Sequence, residues 1–450
     1  MDFTGIFRGM LGIILLLGIS FLFSNNKKNI NWRLVLAGIL LQIVFAIVIL
    51  KGDNLGRIFS PLAWPKEFFY WVSGFFVALL NFTIEGARFV FGNLAVSPGQ
   101  DGSLGLFFAF QVLPTVIFFA SLMSILYYLG IMQRVVQAMA WVMAKLMGTS
   151  GAESLSCTAN IFVGQTEAPL MIRPYLKGMT RSEILTIMIG GMATISGGVM
   201  AAYIQILGSA YAKSHGVPLP EAQQLFATQL LGASVMAAPA ALAVSKILFP
   251  ETSEPETKGT VKVKIEKNAS NIVEAAANGA SDGLTLALNI GAMLIAFIAL
   301  IALINYLLQW LGTITGWNQN LMELYGKPLN FQLILGWILQ FIAYGIGVPW
   351  HDALNFGSLL GTKIVLNEFV AYLDLGSLIE AKHILDPKSI LMATYALCGF
   401  ANFSSIAIQI GGIGPLAPAR KPDIAALGLK AVLGGSVATL MTATLAGVLI

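Results

Sequence analysis

Long apolar runs alternate with polar intervals along this chain, and the intervals are of two kinds. Some are ordinary hydrophilic loops. Others interrupt stretches whose hydropathy would otherwise support a helix, and "NIFVGQTEAPLMIRP", Asn160 to Pro174, is the sharpest of them. The apolar runs "MLGIILLLGISFLF" from Met10, "LVLAGILLQIVFAIVIL" from Leu34 and "GLTLALNIGAMLIAFIALIALINYLL" from Gly283 each supply most or all of a bilayer crossing, which takes roughly 20 residues. The pattern predicts eight transmembrane helices, near 8–24, 33–51, 105–130, 181–209, 221–249, 283–312, 388–413 and 421–449. The aromatic-rich segment 66–92, which contains Glu85 and Arg88, reads as an interfacial helix and not as a ninth crossing. Segment 131–147, with Arg134 and Lys145, also reads as lying along the membrane.

Composition supports this picture. Of 450 residues 57% are hydrophobic and 11% charged, with a mean hydropathy of +0.79. A soluble protein carries about a quarter charged residues, so a large soluble protein is excluded. The first run has no small-residue cleavage site before Asn25, Asn26, Lys27 and Lys28, and is expected to be a span instead of a signal peptide. Cys157 and Cys398 are far apart in apolar surroundings, which argues against a disulfide framework or a cysteine metal site. The net charge of +4 forms no basic face of the kind that binds nucleic acid. Its distribution sets orientation, because basic loops mark the cytoplasmic side. The clusters are Lys27, Lys28 and Arg33; Arg173, Lys177 and Arg181; Lys258, Lys262, Lys264 and Lys267; and Arg420 and Lys421. All four fall on one side only if 66–92 does not cross, and both termini then face outside.

The polar loop 250–271 reads as a cytoplasmic linker between two related halves. "GMATISGG" at 191–198 matches "GFANFSSI" at 399–406, pairing Gly191 with Gly399, Ala193 with Ala401 and Ser196 with Ser404. Upstream, Glu167 in "GQTEAPLMI" pairs with Glu368 in "VLNEFVAYL". Each half reads as span, surface helix, polar re-entrant segment, interrupted span and closing span. Three crossings per half force opposite orientations, the inverted-repeat plan of secondary transporters. The expected parts are 1–130 (scaffold), 131–249 (first repeat), 272–348 (scaffold and interfacial helix) and 349–450 (second repeat).

Residues 151–176 are too polar and proline-marked to cross, and both flanks belong to the inside. A re-entrant hairpin follows, with Gly164 at its tip and Pro169 near the start of a returning helix. It would aim Gln165, Thr166 and Glu167 at the middle of the membrane. Residues 349–377, with Gly361, Thr362, Asn367 and Glu368, predict a second hairpin from the other face. The spans after each hairpin are expected to be broken, at Thr194 and Ser196 in one and at Asn402, Ser404 and Ser405 in the other. Unwound backbone there would offer carbonyls to a small hard cation. Gly/Ser/Ala runs serve close helix packing equally well, and Asn402 alone is equally an interhelical hydrogen bond. The two matched carboxylates are different, since an intramembrane carboxylate costs a few kcal/mol on even the mildest scale and points to a substrate or ion role. His215, His351 and His383 have no metal-ligand spacing.

"NIFVGQTEAPLMIRPYL" together with "FANFSSIAIQIGGIG" resembles the concentrative nucleoside transporter family, over nearly the whole chain. The resemblance implies a homotrimer in which each protomer has a scaffold and a mobile part bearing two hairpins, moving as an elevator. It implies that Gln165, Thr166 and Glu167 read the nucleobase, that Val199 and Phe400 pack beside it, and that Glu368, Asn402 and Ser405 hold the ribose. It implies a sodium ion held by the Asn160 and Thr194 side chains and the carbonyls of Val163 and Ile195. Thr194 stands where other members carry Ser. The expected function is import of nucleosides such as uridine, cytidine or adenosine by sodium symport across a bacterial inner membrane, with no chemical step and no cofactor besides the ion. A proton-coupled version would titrate Glu167 or Glu368. An intramembrane enzyme would need a nucleophile–base pair or metal ligands, which the pattern lacks. A channel fits two opposed hairpins less well than alternating access does.

Overall fold

A computed structural model describes residues 3–57, 59–96, 102–105, 107–258, 269–384 and 386–450. Lys262, Lys264 and Lys267 of the linker lie outside these residues. The first helices are α1 (Phe3–Leu22), α2 (Trp32–Gly56), α3 (Trp64–Phe91), the single turn α4 (Phe108–Gln111) and α5 (Leu113–Tyr128). Then come α6 (Ile131–Met147), α7 (Gly151–Ala159), α8 (Arg181–Ala193), α9 (Gly197–His215) and α10 (Leu219–Leu248). After the linker follow α11 (Ile272–Ile314), α12 (Trp317–Tyr325), α13 (Phe331–Gly345), α14 (Trp350–Val365) and α15 (Glu368–Glu380). The chain closes with α16 (Pro387–Leu397), α17 (Phe403–Ile413) and α18 (Lys421–Leu449).

Both interrupted spans are broken where Gly, Ser, Thr and Asn concentrate. α8 and α9 are separated by Thr194–Ser196, and α16 and α17 by Cys398–Asn402. Among the described residues eight helical spans are long and apolar enough to cross a membrane. They differ from the expected eight in one exchange: α3 qualifies by length, and the α16–α17 pair does not because it is split.

Contacts decide the position of α3. Asn25 N–H donates to the Leu248 carbonyl, and Tyr128 Oη donates to the Ser270 carbonyl. The start of α2, the end of α5 and the end of α10 therefore share the linker side. α3 meets the opposite ends. Lys66 pairs with Asp53 near the end of α2, Gln224 near the start of α10 donates to the Tyr70 carbonyl, and Phe76 stacks on Phe119 of α5. Just beyond α3, the Leu94 and Val96 carbonyls accept from Gln111, ahead of α5. Both ends of α3 thus lie at one end of the bundle, as an interfacial helix requires. Crossing is left to seven single or broken helices already expected, plus α16–α17.

Contacts at their ends orient the hairpins. Gly151 N–H donates to the Thr257 carbonyl where α7 begins, and Thr180 Oγ donates to Glu251 just after the hairpin ends. The first hairpin enters and leaves on the linker side. In the second, Asn355 Nδ2 donates to the His383 carbonyl near the start of α14, and Glu380 at the end of α15 pairs with Lys213 at the end of α9. Those ends lie on the other side, so the hairpins oppose each other. α13 and α14 meet at 119°, which turns the chain from the surface into the second hairpin.

The first hairpin departs from expectation in its returning limb. It is a 3₁₀ helix, Ala168–Ile172, followed by turns, and not an α-helix. Pro169 and Pro174 remove two backbone donors within six residues, and no regular i→i−4 ladder survives that loss. The limb is instead held from outside. Capping boxes at Ser150–Glu153 and Thr180–Glu183 start α7 and α8, and Lys246 of α10 reaches the buried Glu153 carboxylate at 2.7 Å and Ser182 Oγ at 2.9 Å. Burial separates two kinds of helix. The apolar core of α10 is 100% buried and that of α8–α9 89%, against 22% for α11 and for α1. The broken spans and α10 therefore form the interior, and α1 and α11 present their sides to lipid or to another chain.

Candidate functional site

The two hairpin tips and the two breaks converge on one cavity of about 140 Å³. All eight residues singled out for substrate contact line it: Gln165, Thr166, Glu167, Val199, Glu368, Phe400, Asn402 and Ser405. Gly164, Ser196, Asn367 and Ser404 complete its polar rim.

The polar groups are held in place by one another. Glu368 is the first residue of α15, whose N-cap is Asn367, with the Asn367 side chain accepting from Val370 N–H. A carboxylate at that position is favoured by the positive end of the helix dipole. One carboxylate oxygen of Glu368 accepts from Asn402 Nδ2 at 2.9 Å and the other from Tyr203 Oη at 3.1 Å. Asn402 caps α17, its Oδ1 accepting from Ser405 N–H at 2.8 Å and from Ser404 Oγ at 2.7 Å. The second hairpin and the second break are thereby a single hydrogen-bonded unit.

Across the cavity, Glu167 folds back so that its carboxylate accepts from Gly164 N–H at 2.7 Å, which closes the tip on itself. Gln165 Nε2 donates to Ser405 Oγ at 3.1 Å. This contact joins the tip of the first hairpin to the break of the second half, the meeting that two inverted repeats produce at their interface.

The residues considered for an ion sit deeper. Asn160 follows α7 and is 1% exposed; its Nδ2 donates to the Ser156 carbonyl at 2.9 Å, while its Oδ1 is buried with no hydrogen-bond partner. Thr194 is the first residue of the break, and its hydroxyl donates to the Gly190 carbonyl at 2.9 Å, which leaves the oxygen free to accept. Gly197 N–H donates to the Phe162 carbonyl at 3.0 Å, so the turn after α7 and the break are tied together. Val163 and Ile195 lie within these two tied segments and are buried. A buried acceptor without a donor costs about 1–3 kcal/mol. An all-oxygen set with one orphaned acceptor fits a small hard cation.

Several functional side chains escape sequence reasoning. Tyr203 is fully buried, stacked on Tyr372 with ring centroids 4.2 Å apart, and it fixes Glu368. Gln409 Nε2 bridges the Gln165 side-chain oxygen at 3.0 Å and the Met188 carbonyl at 2.9 Å. Gln409 is one helical turn beyond Ser405 on α17, and that i,i+4 spacing is the signal that could have exposed it. The apolar wall comes from α11, through Leu286, Ile290, Met293 and Leu294.

Three family models match the chain. Residues 11–94 match the family described as "Na+ dependent nucleoside transporter N-terminus", 109–210 "Nucleoside recognition", and 229–447 "Na+ dependent nucleoside transporter C-terminus". An uncharacterized transporter of Haemophilus influenzae is 44% identical over 99% of this chain and 98% of its own length. Sodium/nucleoside cotransporter 1 of Mus musculus is 40% identical over 97% of this chain, which spans 63% of that longer protein. The solved structure of CNTnw in an inward-facing substrate-bound state has a TM-score of 0.84 and 38% identity, covering 98% of each chain. With such identity along its whole length, this multi-pass membrane chain belongs to the concentrative nucleoside transporter family, a family of sodium-dependent nucleoside transporters and not of enzymes.

Proposed function

We propose that the protein imports nucleosides by sodium symport, with the base read by Gln165, Thr166 and Glu167 and flanked by Val199 and Phe400. Glu368, Asn402 and Ser405 hold the ribose. The observation that carries this reading is Glu368, a buried carboxylate anchored on both oxygens yet lining the cavity. A carboxylate accepts from two vicinal hydroxyls, and an amide beside a carboxylate satisfies both donors and acceptors of a base edge. Asn160, Thr194 and the carbonyls of Val163 and Ile195 take the sodium ion, supported by the unpartnered Asn160 Oδ1. Hairpins, broken spans, α10 and α18 move together as an elevator against α11 and the other exposed helices. Three copies associate in a bacterial inner membrane, and uridine, cytidine and adenosine are the substrates.

The test is labelled uridine uptake into proteoliposomes at fixed pH and inside-negative potential. Moving one charge through 100 mV supplies about 2.3 kcal/mol, enough for roughly 50-fold accumulation. Replacing sodium by choline should abolish that accumulation. Undiminished uptake in choline, lost on adding a protonophore, would instead establish proton coupling through Glu167 or Glu368.

Tyr203 acts here as a positioning residue for Glu368. Tyr203→Phe should raise the half-saturating uridine concentration about tenfold, the loss of one hydrogen bond to a charged group, and leave the maximal rate within twofold. The effect should shrink for 2′- and 3′-deoxyuridine. An equal loss for all three substrates would show that the hydroxyl serves folding only.

A further inference from the structure

The side-chain amide of Gln165 has a direction, and Gln409 sets it. Gln409 lies on α17, is fully buried, and stands outside the residues that line the cavity. Its Nε2 donates to two oxygens, the Met188 carbonyl of α8 at 2.9 Å and Gln165 Oε1 at 3.0 Å. A backbone carbonyl only accepts, so Met188 decides which end of the Gln409 amide faces this pair. Gln165 must then turn its oxygen to Gln409, and its Nε2 donates to Ser405 Oγ at 3.1 Å on the cavity side. The relay runs one way, from a group that cannot rotate to the wall of the cavity.

The amide at 409 is present for its N–H groups. Its Oε1 is buried and, among the described residues, has no hydrogen-bond partner. An orphaned acceptor is destabilising, and methionine would fill the same space without one. α8 also makes room for the relay. A Cβ on Gly191 would stand 2.7 Å from Gln165 Cβ and 3.1 Å from Gln409 Nε2, so the close approach of both amides requires glycine there.

Gln165 is one hydrogen bond away from Ser405, which holds the ribose in the reading above. The edge of the base nearest the sugar is therefore the edge that meets Gln165. Pyrimidine nucleosides carry an acceptor there, O2, and purine nucleosides carry one too, N3. A fixed donor suits both. An amide free to turn would also present its oxygen, which repels either acceptor. We propose that Gln409 is a positioning residue that holds Gln165 as a donor to the sugar edge of the base, so that one side chain serves pyrimidine and purine nucleosides alike. This rests on the base and ribose assignments above, and it leaves discrimination among bases to Thr166 and Glu167.

The test is equilibrium binding to the purified full-length chain in saturating sodium. Two pairs of ligands differ at the acceptor alone: adenosine against 3-deazaadenosine, in which C–H replaces N3, and uridine against 2-thiouridine, whose sulfur accepts poorly. The unmodified protein should prefer adenosine about tenfold over its deaza analogue, and uridine over its thio analogue by a smaller factor. Gln409→Glu reverses the relay in either protonation state. A carboxylate only accepts, and a protonated carboxyl gives its one proton to the Met188 carbonyl, so Gln165 must donate to it and turn Oε1 to the cavity. Adenosine and uridine should then weaken about tenfold while 3-deazaadenosine stays within about twofold. Gln409→Met removes the orphaned oxygen along with the clamp, and should narrow both preferences in a folded protein. An equal loss for all four ligands in the variants overturns the proposal, since a purely structural residue would act that way. Equal binding within each pair by the unmodified protein also overturns it, and needs no variant. Gln165→Ala separates the proposal from the reading beneath it. If both preferences survive there at native size, the base assignment of Gln165 falls. If Gln165→Ala abolishes them and neither Gln409 variant alters them, only the role of Gln409 falls.

Discussion

Glu368→Gln is expected to lower uridine uptake about 100-fold, the equivalent of two charge-assisted hydrogen bonds at roughly 1.5 kcal/mol each. The substitution keeps size and shape. It replaces one acceptor oxygen with an NH₂ group, which then faces either Asn402 Nδ2 or Tyr203 Oη, both donors to the native carboxylate. With the NH₂ turned to Tyr203, whose hydroxyl then accepts, the remaining oxygen keeps Asn402 Nδ2, and what the cavity loses is the negative charge and one acceptor. The variant should also lose discrimination. Uridine should outcompete 2′- and 3′-deoxyuridine strongly in the native protein and weakly in the variant, because the charged acceptor proposed for the ribose hydroxyls is replaced by a neutral amide. Uptake of uridine at the native level, with discrimination intact, would refute the ribose assignment. Competition assays on matched amounts of reconstituted protein separate these outcomes from poor expression.

Asn160→Ala should have the next largest effect, and in two opposite directions. The sodium concentration for half-maximal uptake should rise about tenfold or more, since an oxygen ligand worth at least 1–3 kcal/mol when left unpaired is removed. In sodium-free buffer the variant should be the more stable of the two, because the orphaned Oδ1 is no longer buried without a partner. Ligand binding stabilises a protein only to the extent that the folded state binds it. Sodium should therefore raise the melting temperature of the native chain and barely move that of the variant. Relative preference among uridine, cytidine and adenosine should not change. An unaltered sodium activation curve would place the ion elsewhere.

These sites were legible for a physical reason. A polar side chain within an apolar run is costly unless something requires it, so Gln165, Glu167, Glu368 and Asn402 stood out, and all four line the cavity. The broken spans were legible because Gly, Ser and Asn mark where a membrane helix can be opened. The surface position of α3 was legible from its aromatic residues and from the basic loops, although its length alone says otherwise. Tyr203 was hidden because a tyrosine in "AAYIQIL" looks like core, and only the fold brings it to a carboxylate 165 residues away. The α11 wall could not be found by periodicity, since a helix apolar on every side has no face to mark. The non-helical return of the first hairpin was readable from Pro169 and Pro174 together, and was missed because Pro169 alone suits a helix start.

The α11 wall has a mechanical consequence. Leu286, Ile290, Met293 and Leu294 give the cavity one side with no hydrogen-bonding group at all. Every polar contact to a bound molecule must then come from the opposing hairpins and breaks. In the proposed elevator motion along α11, the molecule would take its contacts with it and leave none on these four residues. For a nucleoside moving past them, these four residues would act as a greased rail with no rung to catch a sugar hydroxyl, and methionine can reshape itself as the load goes by. A serine or asparagine introduced at Ile290 would act as a brake, slowing passage without weakening capture.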